Sequence, residues 1–174
     1  MAAMEEQLRG FIKERFGDAI ISEDDFRGDQ SFFIKPQALI DICQALLDDT
    51  ELNFKFLADL TAVDWLGHRR EKDGRFEVVY NLYSIAHSYR FFLKVRLPAE
   101  DPSIATLCDL WPSANWMERE VYDLFGIVFV GHPELTKILT PDELDGHPLR
   151  KDFPLTYEQP QFSFNKNDPP EVTH

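Results

Sequence analysis

Trp116-Met-Glu-Arg-Glu-Val-Tyr-Asp-Leu-Phe-Gly-Ile127 is followed about twenty residues later by Gly146-His-Pro-Leu-Arg-Lys-Asp-Phe-Pro-Leu155. The first block reads as a charged, aromatic-rich helix. Met117, Val121, Leu124 and Phe125 fall on one helical face, and Gly126 suits the left-handed residue that ends helices. Arg119 and Asp123 stand one turn apart and are expected to pair, with Glu120 three residues from Asp123. The second block reads as an extended segment bounded by prolines and carrying the basic pair Arg150-Lys151.

Met4, Leu8, Phe11 and Ile12 recur at helical spacing and predict a first helix ending near Gly17. A short strand at 19–21, an acidic turn at Glu23-Asp24-Asp25 and a second strand from Ser31 to Lys35 are expected next. Pro36 suits the first position of a helix whose apolar face is Leu39, Ile42, Cys43, Leu46 and Leu47. Strands are predicted within Asn53 to Leu66 and at Phe76 to Tyr83, paired as a hairpin across a loop containing Asp73-Gly74. A further strand runs from Tyr89 to Leu97 with Phe92, Lys94 and Arg96 outward. Ser103 is read as the cap of a short helix through Leu107 and Cys108.

The order predicts an α+β fold, a two-layer domain with helices on one face of a mixed β-sheet. Prolines at 133, 141, 148, 154, 160, 169 and 170 predict an extended, proline-rich C-terminal arm, mobile when the chain is isolated. The expected division is a core at 1–130 and an arm at 131–174 docking on partners.

A chain of 174 residues, 44% hydrophobic and 13% aromatic, is large enough for one real core, with some aromatics left over for a partner. A net charge of -13 argues against nucleic acid or anionic lipid as partners. Apolar runs are only a few residues long, against the roughly 20 that a membrane-spanning helix needs. The N-terminus lacks a basic region followed by an apolar one, so no secretory signal and a cytoplasmic location are expected. Cys43 and Cys108 are 65 positions apart, which is not the spacing of zinc-ribbon or iron–sulfur ligands, and two buried reduced thiols are expected.

Glu118, Glu120 and Asp123 permit a hydrolase-like carboxylate cluster, but Arg119 would keep neighbouring acids ionised and no nucleophile accompanies them. Asp59 and Asp64 are read as strand-end acids in solvent or hydrogen-bonded roles. The five histidines show no four-residue helical pair, so a metal site made of sequence neighbours is not expected, and one assembled from distant residues stays open. Dinucleotide, P-loop and serine-elbow motifs are missing. The sequence therefore predicts no catalytic, cofactor-binding or metal residues. It offers Glu118, Arg119, Glu120, Asp123, Arg150, Lys151 and Asp152 as subunit-interface candidates, where directed charge pairs set register.

Glu118 to Gly126, then His132, Pro133 and Leu139, then Leu149 to Leu155 resemble the 30 kDa subunit family of NADH-quinone oxidoreductase, respiratory complex I. Asp59-Leu-Thr-Ala-Val-Asp64-Trp and Tyr80-x-Leu82 are similar to the family's core, and the likeness covers about residues 4 to 157. The resemblance implies a cofactor-free scaffold subunit of the hydrophilic peripheral arm of the proton-translocating complex. Electrons would pass from NADH to quinone through FMN and iron–sulfur clusters held in partner subunits. The implied partners are the subunit that resembles the large subunit of nickel–iron hydrogenases, the subunit carrying the last iron–sulfur cluster, and other peripheral-arm subunits of complex I. The quinone pocket would lie between the first two. The implied location is the cytoplasmic side of the cell inner membrane, as a peripheral protein attached only through the complex. The chain is read as unfused. Similar subunits occur in membrane-bound hydrogenases, formate hydrogenlyases and F420 dehydrogenases, and these remain alternatives beside a stand-alone acidic binding module.

Overall fold

A computed structural model describes residues 2–154, with side chains from residue 4. Three helices, α1 (Ala2–Phe16), α2 (Leu39–Asp48) and α3 (Ala114–Phe125), accompany seven strands. These are β1 (Ile20–Phe26), β2 (Asp29–Ile34), β3 (Phe56–Asp64), β4 (Phe76–Ser84), β5 (Tyr89–Leu97), β6 (Ser103–Ala105) and β7 (Val128–Val130).

The main sheet has the order β1-β2-β5-β4-β3, antiparallel except where β2 runs parallel to β5. Alternation in β5 buries Tyr89, Phe91, Leu93, Val95 and Leu97 in one core with Leu8 and Ile12 of α1, Leu39, Ile42, Cys43 and Leu46 of α2, and Val121 and Phe125 of α3. All three helices therefore cover one sheet face, as the two-layer reading requires. Phe91 anchors this core, stacked edge-on against Phe54 at 4.8 Å and Phe32 at 6.3 Å between ring centroids.

The acidic run Glu23-Asp24-Asp25 is not a turn but part of β1, because the hairpin turns instead at Arg27-Gly28. Both of those residues have positive φ, 58° and 86°, the combination of a two-residue hairpin turn whose twist matches its strands. The acids suit an edge strand that repels further pairing, and Glu23 ties β1 to α1 through Arg9 and Lys13. Ser103 opens no helix. It begins β6, which pairs in parallel with β7 as a separate two-stranded ribbon. Cys108 is half-buried, while Cys43 is fully buried, and neither forms a disulfide.

Lys94 and Arg96 stand on the open sheet face as expected, but Arg96 pairs there with Glu77 at 2.7 Å and is almost covered. Residues 131–154, predicted as the start of an arm, form turns that lie back over α3 and the end of β3. The rest of that predicted arm, including Leu155, lies outside the described residues. Among the described residues no helix is long and apolar enough to cross a membrane.

Candidate functional site

α3 begins after Pro112, and Gly126 ends it in the left-handed conformation at φ 72°, turning the chain into β7. Glu118, Val121 and Phe125 face inward, but so does Asp123, so the helix buries two carboxylates along with its apolar stripe. A buried charge persists only with partners. Asp123 receives backbone N–H groups from Ile138 at 2.9 Å, Leu139 at 2.7 Å and Thr140 at 2.9 Å, and the Thr140 hydroxyl donates to its second oxygen. Burial alone would raise its pKa, but these four donors outweigh that and hold it at about 2.

Arg119 does not pair with Asp123. It reaches outward, stacks over Trp116 at 5.1 Å, and donates to the carbonyls of Thr136 and Lys137 at 3.2 and 3.4 Å. Helix spacing permits the pair, but Asp123 lies buried with four donors of its own, so the guanidinium goes to the free carbonyls.

The next turns of chain are bound to the helix end. His147 donates from Nδ1 to the Asp123 carbonyl at 2.9 Å, and Leu149 N–H donates to Leu124 O at 3.0 Å. Arg150 reaches back to the carbonyls of Phe125 and Gly126 and lies over the Phe76 ring at 5.1 Å. Gly126 is required by this closeness as well as by its φ. A Cβ there would collide with both the Arg150 and His147 side chains.

A second clasp joins the segment to the sheet. Arg75, almost covered, makes a two-pronged bond to Asp64 at 3.1 and 2.9 Å and a third to Asp152 at 2.7 Å. Asp64 also accepts the N–H groups of Leu66 and Lys151, each at 2.9 Å. Burial opposes ionisation of Asp64, but the Arg75 guanidinium and these N–H groups prevail and hold its pKa at about 2. The same carboxylates raise the pKa of Arg75.

Glu118 forms a third centre. It is fully buried and accepts from Leu107 N–H at 2.7 Å, from the Thr106 hydroxyl, and from the Cys108 thiol at 3.5 Å. Burial raises its pKa despite those donors, and burial likewise raises the Cys108 thiol to about 11. His132, just after β7, completes the group. The sequence reading missed this convergence, because its members come from three different parts of the fold and share no spacing motif.

The seven residues singled out from the sequence thus divide. Glu118 and Asp123 are buried and bonded within the chain, Arg119 and Arg150 are half-buried over its carbonyls, and Glu120, Lys151 and Asp152 are exposed. Around them Trp116, Leu139 and Leu149 are exposed, Trp116 to 62%. Buried charges fix the shape here, and exposed apolar side chains stand outside it. That arrangement suits protein recognition, where an aromatic anchor sits among polar groups.

The family described as "Respiratory-chain NADH dehydrogenase, 30 Kd subunit" matches residues 32–159. An NADH-quinone oxidoreductase subunit of Roseiflexus castenholzii is 47% identical over 150 residues, 86% of this chain and 84% of that one. Among solved structures, a trypsin-resistant fragment of Nqo5 is similar with a TM-score of 0.65 and 36% identity, over 74% of this chain and 99% of that one. A chain of the membrane-bound sulfane sulfur reductase, an archaeal respiratory membrane complex, is similar with a TM-score of 0.71 and 27% identity, over 87% of this chain and 86% of that one.

Proposed function

This chain belongs to the family of the 30 kDa subunit of respiratory-chain NADH dehydrogenase, and we propose that it is a scaffold subunit of the peripheral arm of NADH-quinone oxidoreductase. It carries no redox centre in this reading. FMN and iron–sulfur clusters belong to partner subunits, and this chain holds those partners in register while electrons pass from NADH to quinone. The partners are the hydrogenase-large-subunit-like subunit and an iron–sulfur subunit, on the cytoplasmic side of the membrane.

The observation that carries the reading is the use of charge in the two sequence blocks. Asp123, Asp64, Arg75 and Arg150 are spent on stitching residues 138–152 to α3 and the sheet, which leaves Trp116, Glu120, Leu139 and Leu149 as a fixed outer surface. Rigid presentation of a few anchors lowers the ordering cost of association.

A second reading is favoured by the likeness to the sulfane sulfur reductase chain. There the same scaffold serves a sister respiratory membrane complex with a different electron donor or acceptor. Affinity isolation of the tagged chain from gently solubilised native membranes separates the two. The first reading expects hydrogenase-like and iron–sulfur subunits together with inhibitor-sensitive NADH-quinone reductase activity. Hydrogenase, formate or sulfur reductase activity in their place would select the second, and recovery of the chain alone would overturn both.

A further inference from the structure

We propose that Cys108, Glu118 and His132 form a binding site for a divalent metal ion of the zinc type. The sulfur, a carboxylate oxygen and an imidazole nitrogen lie within 4.8 Å of one another, brought from the turn after β6, from α3 and from the turn after β7. One thiolate, one imidazole and one carboxylate suit zinc or cobalt, whereas calcium and magnesium take all-oxygen sets. Solvent or another donor fills the fourth position.

The surroundings favour a cation. Glu118 is fully buried, and its hydrogen bonds come from an amide, a hydroxyl and a thiol, all neutral donors. A buried carboxylate whose hydrogen bonds all come from neutral groups is costly, and the side chain of the cluster that can carry a positive charge beside it is the His132 imidazole, itself a proposed ligand. A metal ion supplies that charge. The Tyr80 hydroxyl, buried and without a hydrogen-bond partner among the described residues, lies within electrostatic reach of Glu118. Cys108 and His132 are half-buried, so the group opens towards solvent on that side.

Binding exchanges bonds in a balanced way. The Cys108 thiol gives its proton to solvent and its sulfur bonds the metal, in place of the 3.5 Å contact to Glu118. In the free site His132 donates from Nε2 to Asn115 O at 3.2 Å and accepts from Glu134 N–H at its Nδ1 at 3.0 Å; coordination through Nδ1 replaces the Glu134 bond and keeps the Asn115 one, whereas coordination through Nε2 shifts the ring proton to Nδ1 and replaces both. Leu107 N–H keeps its bond to the other carboxylate oxygen and orients the ligand. The site owes nothing to the assembly reading and stands or falls apart from it.

Cobalt(II) titration of the purified full chain tests it. The expected result is one ion per chain with a thiolate-to-cobalt charge-transfer band, displaced by zinc, and lost in both Cys108→Ser and His132→Asn. Should either variant fail to fold, protection of the wild-type thiol decides. Cys43 is fully buried, so a thiol reagent reads Cys108, and zinc should slow that reaction at least about tenfold. No charge-transfer band, a band retained in both variants, or a thiol reaction rate indifferent to zinc would overturn the proposal.

Discussion

Asp123 holds the backbone of Thr140, 17 residues further along, by an N–H bond of 2.9 Å, and the Thr140 hydroxyl closes on its other oxygen. With Ile138 and Leu139 the loop wraps three successive N–H groups around one carboxylate oxygen. Asp123→Ala would strip all three of their acceptor. The three donors belong to half-buried and exposed residues that water can reach once the carboxylate is gone, so the variant should lose about 1–3 kcal/mol in urea unfolding. A loss below about 1 kcal/mol would mean that the loop satisfies its N–H groups elsewhere.

Acid should release the same clasps. Asp123 and Asp64 are each held at about 2 against an ordinary value of 3.8. A carboxylate depressed in the folded state adds stability above its unfolded pKa, and this is lost as pH falls through the folded value. Each contributes about 2 kcal/mol at neutral pH, the linkage equivalent of that shift. Unfolding free energy is expected to drop between about pH 4 and about pH 2 on this account, with a shallower drop in Asp123→Asn. Equal slopes for the two proteins would remove Asp123 from the explanation.

How legible this was in the sequence depends on the kind of partner. The face of α3 carried by Val121 and Phe125 is written in its spacing, as is the alternation of β5, because those patterns record which side meets the core. Asp123 defeated the same reading. Its partners are mostly backbone N–H groups, which nearly every residue has and no pattern marks. The expected Arg119–Asp123 pair follows from helix geometry, which gives neighbours but not the direction in which a buried acid is drawn. The acids of β1 resemble a turn only when charge is weighed above the Arg27-Gly28 signal beside them. Glu118, Cys108 and His132 meet only because β6 pairs with β7, and a three-residue strand leaves almost no periodicity to read.

Arg75 bridges acids of unequal weight. Asp64 is buried, while the Asp152 side chain is 52% exposed. Double-mutant cycles should therefore give a coupling of about 2 kcal/mol or more between Arg75 and Asp64, but under about 1 kcal/mol between Arg75 and Asp152. Arg75→Lys should not rescue, since an ammonium cannot reproduce the two-pronged bond. Equal couplings would contradict the burial difference.

Gly126→Ala tests the end of α3. A left-handed alanine costs on the order of 1 kcal/mol, and its Cβ would have to displace the tips of His147 and Arg150. The chain should melt several degrees lower, and the Leu149 amide, bonded to Leu124 O in the parent, should exchange faster with solvent. Unchanged exchange at Leu149 would show that the segment does not depend on the close packing at Gly126.

Trp116 separates stability from assembly. It is 62% exposed, and it lies under the Arg119 guanidinium at 5.1 Å. Surface truncation of this kind changes folding stability by about 0.5 kcal/mol or less. An interfacial tryptophan that serves as an anchor costs about 2 kcal/mol or more on truncation. Trp116→Ala should thus leave the melting of the isolated chain almost unchanged and reduce recovery of co-purifying subunits more than about tenfold. Glu120→Gln, one turn on and also exposed, should have the smaller effect expected of a rim charge. If Trp116→Ala assembles normally, the outward face of α3 is not where the partners dock, and Leu139 and Leu149 become the anchors to truncate next.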